Sequence, residues 1–365
     1  MLPSISSRVG VLVAIVMLGC TFAAAEAQEV LGGTGVKGAG STFVYPVLSR
    51  WSIQYRDARA SGGDYPVPNS GLEDPPAGSA LEYEPVGSLA GILRAKDRSV
   101  DFGASEMPLQ STELAQFGLG QFPLVMGGVV VATNIEGIGA GELKLTGPLL
   151  ADVFLGRITN WSDPAIKALN PSMKLPEARI AVLFRADGSG TTFNFTDYLS
   201  KVSPEWRRSI GSGLLVTWPT GQAAKGNEGI AQAVKRTRNS IAYLEYSQAR
   251  ALGLADARVQ NRAGAFVRPD SGSIQAAATG ADWRRTSDFY LLLTDPPGEN
   301  AYPIAATVFV LMHKGASPAR TRATLDFFRW SLADGARNAT RLGYVPLPAP
   351  LVDEVRQYWA KTFGN

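Results

Sequence analysis

The chain has 365 residues, 45% hydrophobic and 18% charged, with a formal net charge of +3. That composition excludes wholesale disorder, and the length suits two lobes, each with its own core. The basic residues are scattered, with no Lys/Arg block of the kind that forms a nucleic-acid surface, so no nucleic-acid partner is expected.

Residues 1–27 read as a signal peptide. Arg8 supplies the positive start, Val9 to Ala25 is almost wholly apolar, and Ala25-Glu26-Ala27 is a small-x-small cleavage signal. The alternative is an uncleaved anchor. The single cysteine, Cys20, lies inside this stretch, and bulky Leu18 makes a poor lipobox around it. Cleavage after Ala27 leaves a cysteine-free chain suited to an oxidising compartment, and no later segment is apolar enough to span a bilayer. Export beyond the cytoplasmic membrane is therefore expected.

Val36-Lys37 reads as a strand running into Gly38-Ala39-Gly40-Ser41-Thr42-Phe43. Pro46 then fits a helix start, with Val47, Leu48, Trp51 and Tyr55 at helical spacing. Ala58 to Gly78, rich in Gly, Pro, Ser and Asp, reads as a loop excursion. Leu81 to Val86 is a strand entering Gly87-Ser88 and a helix with Leu89, Ile92 and Leu93. Val100 to Gly103 is a strand leading into Ala104-Ser105-Glu106. Val125 to Ala132 reads as a buried strand and Thr146-Gly147-Pro148 as a helix cap. Ile180 to Phe184 is a strand ending in Arg185-Ala186-Asp187-Gly188-Ser189-Gly190-Thr191-Thr192, ahead of a helix over Phe193 to Leu199. Ser203-Pro204-Glu205 starts another helix. Ser240 to Tyr246 and Ile304 to Met312 read as strands, and Pro318 to Ala333 and Val352 to Ala360 as helices. Short apolar runs alternating with helical patterns indicate α/β lobes.

Several chemistries lack their parts. The one histidine, His313, closes an apolar run and reads as structural; alone it supplies neither a hydrolytic triad nor the usual zinc set. No metal and no cofactor are expected. Gly33-Thr34-Gly35-Val36-Lys37-Gly38 matches a dinucleotide fingerprint, but no strand precedes it, and no P-loop motif occurs.

What the sequence does offer is a repeated corner: a strand ends, glycine lets the backbone turn closely, and a hydroxyl stands where a helix begins. Helix N-termini carry unpaired N–H groups and partial positive charge, which suits an anion. Thr42, Ser88, Ser189 and Thr191 would add hydroxyl donors, and Gly40, Gly87, Gly188 and Gly190 would let an anion approach the backbone. For any single corner, helix capping is the simpler reading. Arg185 adds a planar fork suited to oxyanions, which Asp187 could hold in place; the plainer reading of that pair is a surface salt bridge. Glu106 is the odd member. A carboxylate repels an anion unless the anion carries a proton to donate, so it would admit phosphate and reject sulfate; otherwise it is an ordinary exposed glutamate.

These residues resemble the periplasmic phosphate-binding proteins of phosphate ABC transporters. The pieces that carry the resemblance are Gly38-Ala39-Gly40-Ser41-Thr42-Phe43, Val100-Asp101-Phe102-Gly103-Ala104-Ser105, Phe122-Pro123 and Arg185-Ala186-Asp187-Gly188-Ser189-Gly190-Thr191. Lys225-Gly226-Asn227 with Gly229-Ile230, and Tyr243-Leu244-Glu245-Tyr246, add to it. The resemblance implies a periplasmic-binding-protein-like (type II) fold: two α/β lobes, a ligand cleft between them and two crossover segments. Lobe I would comprise residues 28–125 and 301–365, and lobe II residues 126–300. It implies phosphate held by Thr42, Phe43 (through its backbone), Ser88 and Glu106 on one lobe and by Arg185, Ser189, Gly190 and Thr191 on the other, with Asp187 supporting Arg185. It implies a monomeric, non-enzymatic receptor that hands phosphate to membrane permease subunits. Three positions depart from the family pattern: Glu106 stands where Asp is usual, Leu89-Ala90 where Ser-Gly is common, and the Ala58 to Gly78 excursion is longer. A receptor for another oxyanion and an exported phosphate-ester hydrolase are the alternatives.

Overall fold

The computed structural model describes residues 35–61, 81–283 and 286–364. The signal-peptide and Cys20 expectations lie outside these residues, as does the loop excursion apart from its first few positions. Ala58 to Ala60 belong to the first helix.

Eight strands form the main path of one mixed sheet. In chain order they are β1 (Val36–Gly40), β2 (Leu81–Glu84), β3 (Phe102–Ser105), β4 (Leu119–Asn134), β5 (Ala181–Arg185), β6 (Gln222–Ala224), β7 (Ser240–Glu245) and β8 (Ala305–His313). Across the sheet the order is β2-β1-β3-β8-β4-β7-β5-β6. β1 runs parallel to β2 and β3, and β7 parallel to β5, which is parallel to β6. The two parallel groups are joined by antiparallel β8 and β4.

β4 is the seam. Its first part, Leu119 to Gly128, pairs with β8, and its second part, Val129 to Asn134, pairs with β7. Sequence reading finds only Val125 to Ala132 of this strand. Its burial is continuous from Leu119 to Thr133, which is the pattern of a strand covered on both faces rather than the alternation of a half-exposed one. The registers also show where the carboxyl ends lie. Ser105 at the end of β3 lies opposite Phe309, which faces Pro123, and Glu245 at the end of β7 lies opposite Val129. Both parallel groups therefore aim their carboxyl ends at the middle of the same strand, the place where open α/β sheets bind ligands.

The helices follow from their patterns. α1 (Tyr45–Ala60) has Pro46 in its first turn and buries Val47, Leu48, Trp51 and Tyr55. The Trp51 indole donates to Gly335 O at 2.9 Å, tying α1 to the C-terminal helices. α2 (Ser88–Lys96) follows β2 directly. α3 (Gly190–Val202) begins three residues before the apolar pattern does, because Ser189 caps it by accepting from Thr192 N at 3.1 Å. Each parallel group has its own aromatic packing. Phe122 meets Phe328 and Trp359 edge-on in the first, and the Phe195 ring stacks on Tyr243 with centroids 4.4 Å apart in the second. The fold is mixed α/β, two lobes joined through β4 and β8. No helix of the described residues is long and apolar enough to cross a membrane.

Candidate anion site

The corners that the sequence singles out follow β1, β2, β3 and β5, and they meet. Ser88 opens α2 and donates to Glu106 Oε2 at 3.2 Å. From the other lobe the Gly190 N–H donates to the same Ser88 hydroxyl at 3.0 Å, across 102 residues of chain. A Cβ at Gly190 would fall on Glu106 Oε2, so only glycine lets the start of α3 come this close. Gly87 has φ +96°, and a Cβ there would stand 2.7 Å from Gly188 O and 2.8 Å from Asp187 Oδ2.

The second lobe supplies the cation. Arg185 ends β5, and its guanidinium makes a two-pronged pair with Asp187, through Nε to Oδ1 at 2.8 Å and Nη2 to Oδ2. Its remaining prong, Nη1, donates to Thr191 Oγ1 at 3.4 Å. The Gly226 N–H also donates to Asp187 Oδ1 at 2.9 Å. Burial pushes the Asp187 carboxyl up, but the hydrogen bonds and charge of Arg185 and the Gly226 amide outweigh it and hold the group below its ordinary value. Tyr243 supports this edge from behind. Its hydroxyl accepts from Arg185 N at 3.1 Å and lies 2.7 Å from Thr192 Oγ1. Arg185 is buried, so this pair is not the exposed salt bridge of the plainer reading.

Glu106 is also buried, at 1% exposure. Burial raises its carboxyl to about 7, against the opposing pull of Ser41, Arg185 and Ser88. It is therefore not an ordinary exposed glutamate. Ser41 Oγ donates to Glu106 Oε1. Phe43 sits beside these groups, but its N–H donates to Ser41 Oγ at 3.0 Å, and its carbonyl accepts from Tyr344 OH at 2.7 Å. Ser189 Oγ caps α3 as an acceptor, which leaves its proton to donate. Thr42 and Thr191 are brought together through a residue outside the expected set. Asn227 Nδ2 donates to Thr42 Oγ1 at 3.0 Å and to Thr191 Oγ1 at 3.3 Å, and its Oδ1 accepts from Glu245 N at 3.1 Å.

Ser41, Asn227 and Glu245 are the residues that sequence reasoning leaves without a role. Glu245 caps the helix Tyr246–Ala251, accepting from Ser247 N at 2.6 Å and Gln248 N at 3.0 Å, and burial pushes it to about 7 as well. Leu89, one of the departures, is half-buried, and its N–H donates to Gly188 O at 3.1 Å. It packs on an apolar cluster that holds Ile92 and Leu109 of one lobe and Phe193 and Leu214 of the other. Leu89 thus adds apolar contact between the lobes. Among the described residues, no group of three or more His, Cys, Asp or Glu is placed to hold a metal ion.

Residues 23–334 match the family model described as a PBP superfamily domain. A protein of Xylella fastidiosa (strain 9a5c) named phosphate-binding protein PstS is 46% identical over 329 residues, covering 90% of this chain and 85% of its own. One of the same name from Pasteurella multocida (strain Pm70) is 42% identical over 325 residues, covering 89% of each. Among solved structures, a phosphate-binding protein from Stenotrophomonas maltophilia superimposes with TM-score 0.64 at 18% identity, over 90% of this chain and 94% of that one. A high-affinity periplasmic phosphate-binding protein solved with phosphate gives TM-score 0.63 at 21% identity, over 89% and 93%. At such identities the structures speak for the fold alone, and the sequence relatives for the family. The chain belongs to the PstS phosphate-binding family, within the PBP superfamily.

Proposed function

We propose that this protein captures inorganic phosphate between its two lobes in the periplasm and delivers it to the permease of a phosphate ABC transporter, making and breaking no covalent bond. The observation that carries this reading is the Gly190–Ser88–Glu106 chain beside Arg185. It joins backbone N–H, hydroxyl and carboxylate groups from two lobes by hydrogen bonds, with the Arg185 guanidinium acting on Glu106 through its charge and bonded to Thr191, the neighbour of Gly190. Donors and a fixed cation serve any tetrahedral anion, whereas the buried carboxylate serves one that still carries a proton. The relatives named phosphate-binding protein support the same ligand.

In this reading Thr42, Ser88, Ser189 and Thr191 offer hydroxyls, Phe43 and Gly190 offer N–H groups, Arg185 offers its fork and Glu106 accepts the phosphate proton. Asp187 keeps Arg185 aimed. The Phe43 N–H would serve the anion as a bifurcated donor, sharing its proton between the anion and Ser41. We assign residues 28–125 and 301–365 to lobe I and 126–300 to lobe II, a division supported by the change of partner along β4. The leader 1–27 is removed after Ala27, and the mature chain acts as a monomer.

Calorimetry with phosphate and sulfate at about pH 8, where Glu106 is ionised, tests the proposal, run beside incubation with a chromogenic phosphate ester. One phosphate bound per chain, little or no heat with sulfate and no turnover is the expected result. Absence of phosphate binding, or steady release of the chromophore, would overturn it.

A further inference from the structure

Ser41 stands in the first corner but outside the groups assigned to the anion. It is 1% exposed. Its Oγ receives two backbone N–H groups, Phe43 N at 3.0 Å and Val44 N at 3.3 Å, at the start of α1, whose N-cap position has no side-chain cap of its own. A hydroxyl has one proton and two acceptor sites. With both acceptor sites taken by N–H groups, the proton has one remaining direction, and there it meets Glu106 Oε1. The valence of the hydroxyl therefore fixes it as a donor to the carboxylate and passes the positive end of α1 on to it. Glu106 Oε2 is left facing Ser88 and the Gly190 backbone, where the two lobes meet.

We propose that Ser41 is a positioning residue that acts through Glu106: it clamps one carboxylate oxygen, turns the other toward the anion, and thereby sets the preference for a protonated oxyanion over an unprotonated one of the same shape. This rests on the phosphate reading above and deepens it. The charged and titratable groups around Glu106 are Arg185, whose fork is held by Asp187, Tyr83 on β2 and Tyr344. Neither tyrosine can replace Ser41, because their hydroxyls donate elsewhere, to Ser41 O at 2.9 Å and to Phe43 O at 2.7 Å. Ser41 leads the influences that favour the ionised carboxylate against its burial. Without it, Glu106 takes up a proton at higher pH. Protonated, it becomes a donor and no longer repels sulfate.

The test is the ratio of phosphate to sulfate affinity for wild type, Ser41→Ala and Ser41→Thr, by calorimetry at about pH 8 and at about pH 10. Phosphate's own ionisation is common to all three proteins and cancels between them. Ser41→Ala should lose about tenfold in preference at the lower of these pH values and regain it at the higher, while Ser41→Thr, which keeps the hydroxyl, should follow wild type. Wild type gives an arm that needs no variant to fold: its exclusion of sulfate should fail as the pH falls below that at which Glu106 protonates. Ser41→Ala weakening both anions by one factor at every pH, or leaving the preference unchanged, would overturn the role of Ser41 alone. Wild type binding no phosphate would overturn the reading beneath it.

Discussion

The two edges of the anion site each carry one carboxylate; burial pushes both up, and their partners send them opposite ways. On the second lobe, Asp187 is locked to Arg185 and the Gly226 amide and held below its ordinary value. On the first, Glu106 has hydroxyls for its nearest partners, with Arg185 acting only through its charge, and burial lifts it to about 7. The same functional group is used once to hold a cation and once to interrogate an anion. The second lobe thus supplies attraction, and the first supplies discrimination.

Arg185→Ala should break the attractive edge. It removes the fixed charge and leaves Asp187 buried without its partner, so phosphate binding should weaken by about 4 kcal/mol, near a thousandfold. Calorimetry checks it, and affinity within a few-fold of wild type would remove Arg185 from the site.

Next in size is the response of stability to pH in the absence of anion. Glu106 and Glu245 both have folded-state values near 7, against 4.5 for an ordinary glutamate. A raised carboxylate favours folding below about 4.5 and gives that contribution up as the pH climbs through about 7, because the folded state must then ionise a buried group. Each would contribute at most about 3 kcal/mol. Thermal melts should show stability falling between about pH 5 and pH 8, and Glu245→Gln should remove part of that slope. A slope of opposite sign, rising through neutral pH, would contradict the burial of both groups.

The smallest effect sharpens the discriminating edge. Glu106→Gln keeps the size but exchanges one acceptor oxygen for an NH2 donor and loses the charge, so at about pH 8, where wild-type Glu106 is ionised, sulfate should bind roughly tenfold more tightly than in wild type, with phosphate weaker. Unchanged sulfate exclusion would place discrimination elsewhere.

How much of this was readable beforehand depended on distance along the chain. The corners at Gly40, Gly87 and Gly188 announce themselves locally, since glycine, hydroxyl and helix start lie within a few residues. Pro318–Ala333 appears at its expected bounds because Ser317 and Pro318 mark its start. The contacts that give Ser41 and Asn227 their roles cross 65 and 185 residues, and no periodicity encodes such a meeting. Asn227 had only a faint local signal, its place at a helix start after Gly226. Glu245 ends an apolar strand and opens a helix, so its capping was open to inference, but its burial was not. β4 was read at half its length because a strand shared by two lobes exceeds the usual run of about five or six residues.

The most direct test is a crystal structure of the protein grown with phosphate. The account predicts one phosphate between the lobes, its oxygens within hydrogen-bonding distance of Thr42, Ser88, Arg185 and Thr191, and one oxygen facing Glu106 Oε2. Phosphate bound away from Glu106 and Arg185, or touching one lobe only in a closed molecule, would contradict it.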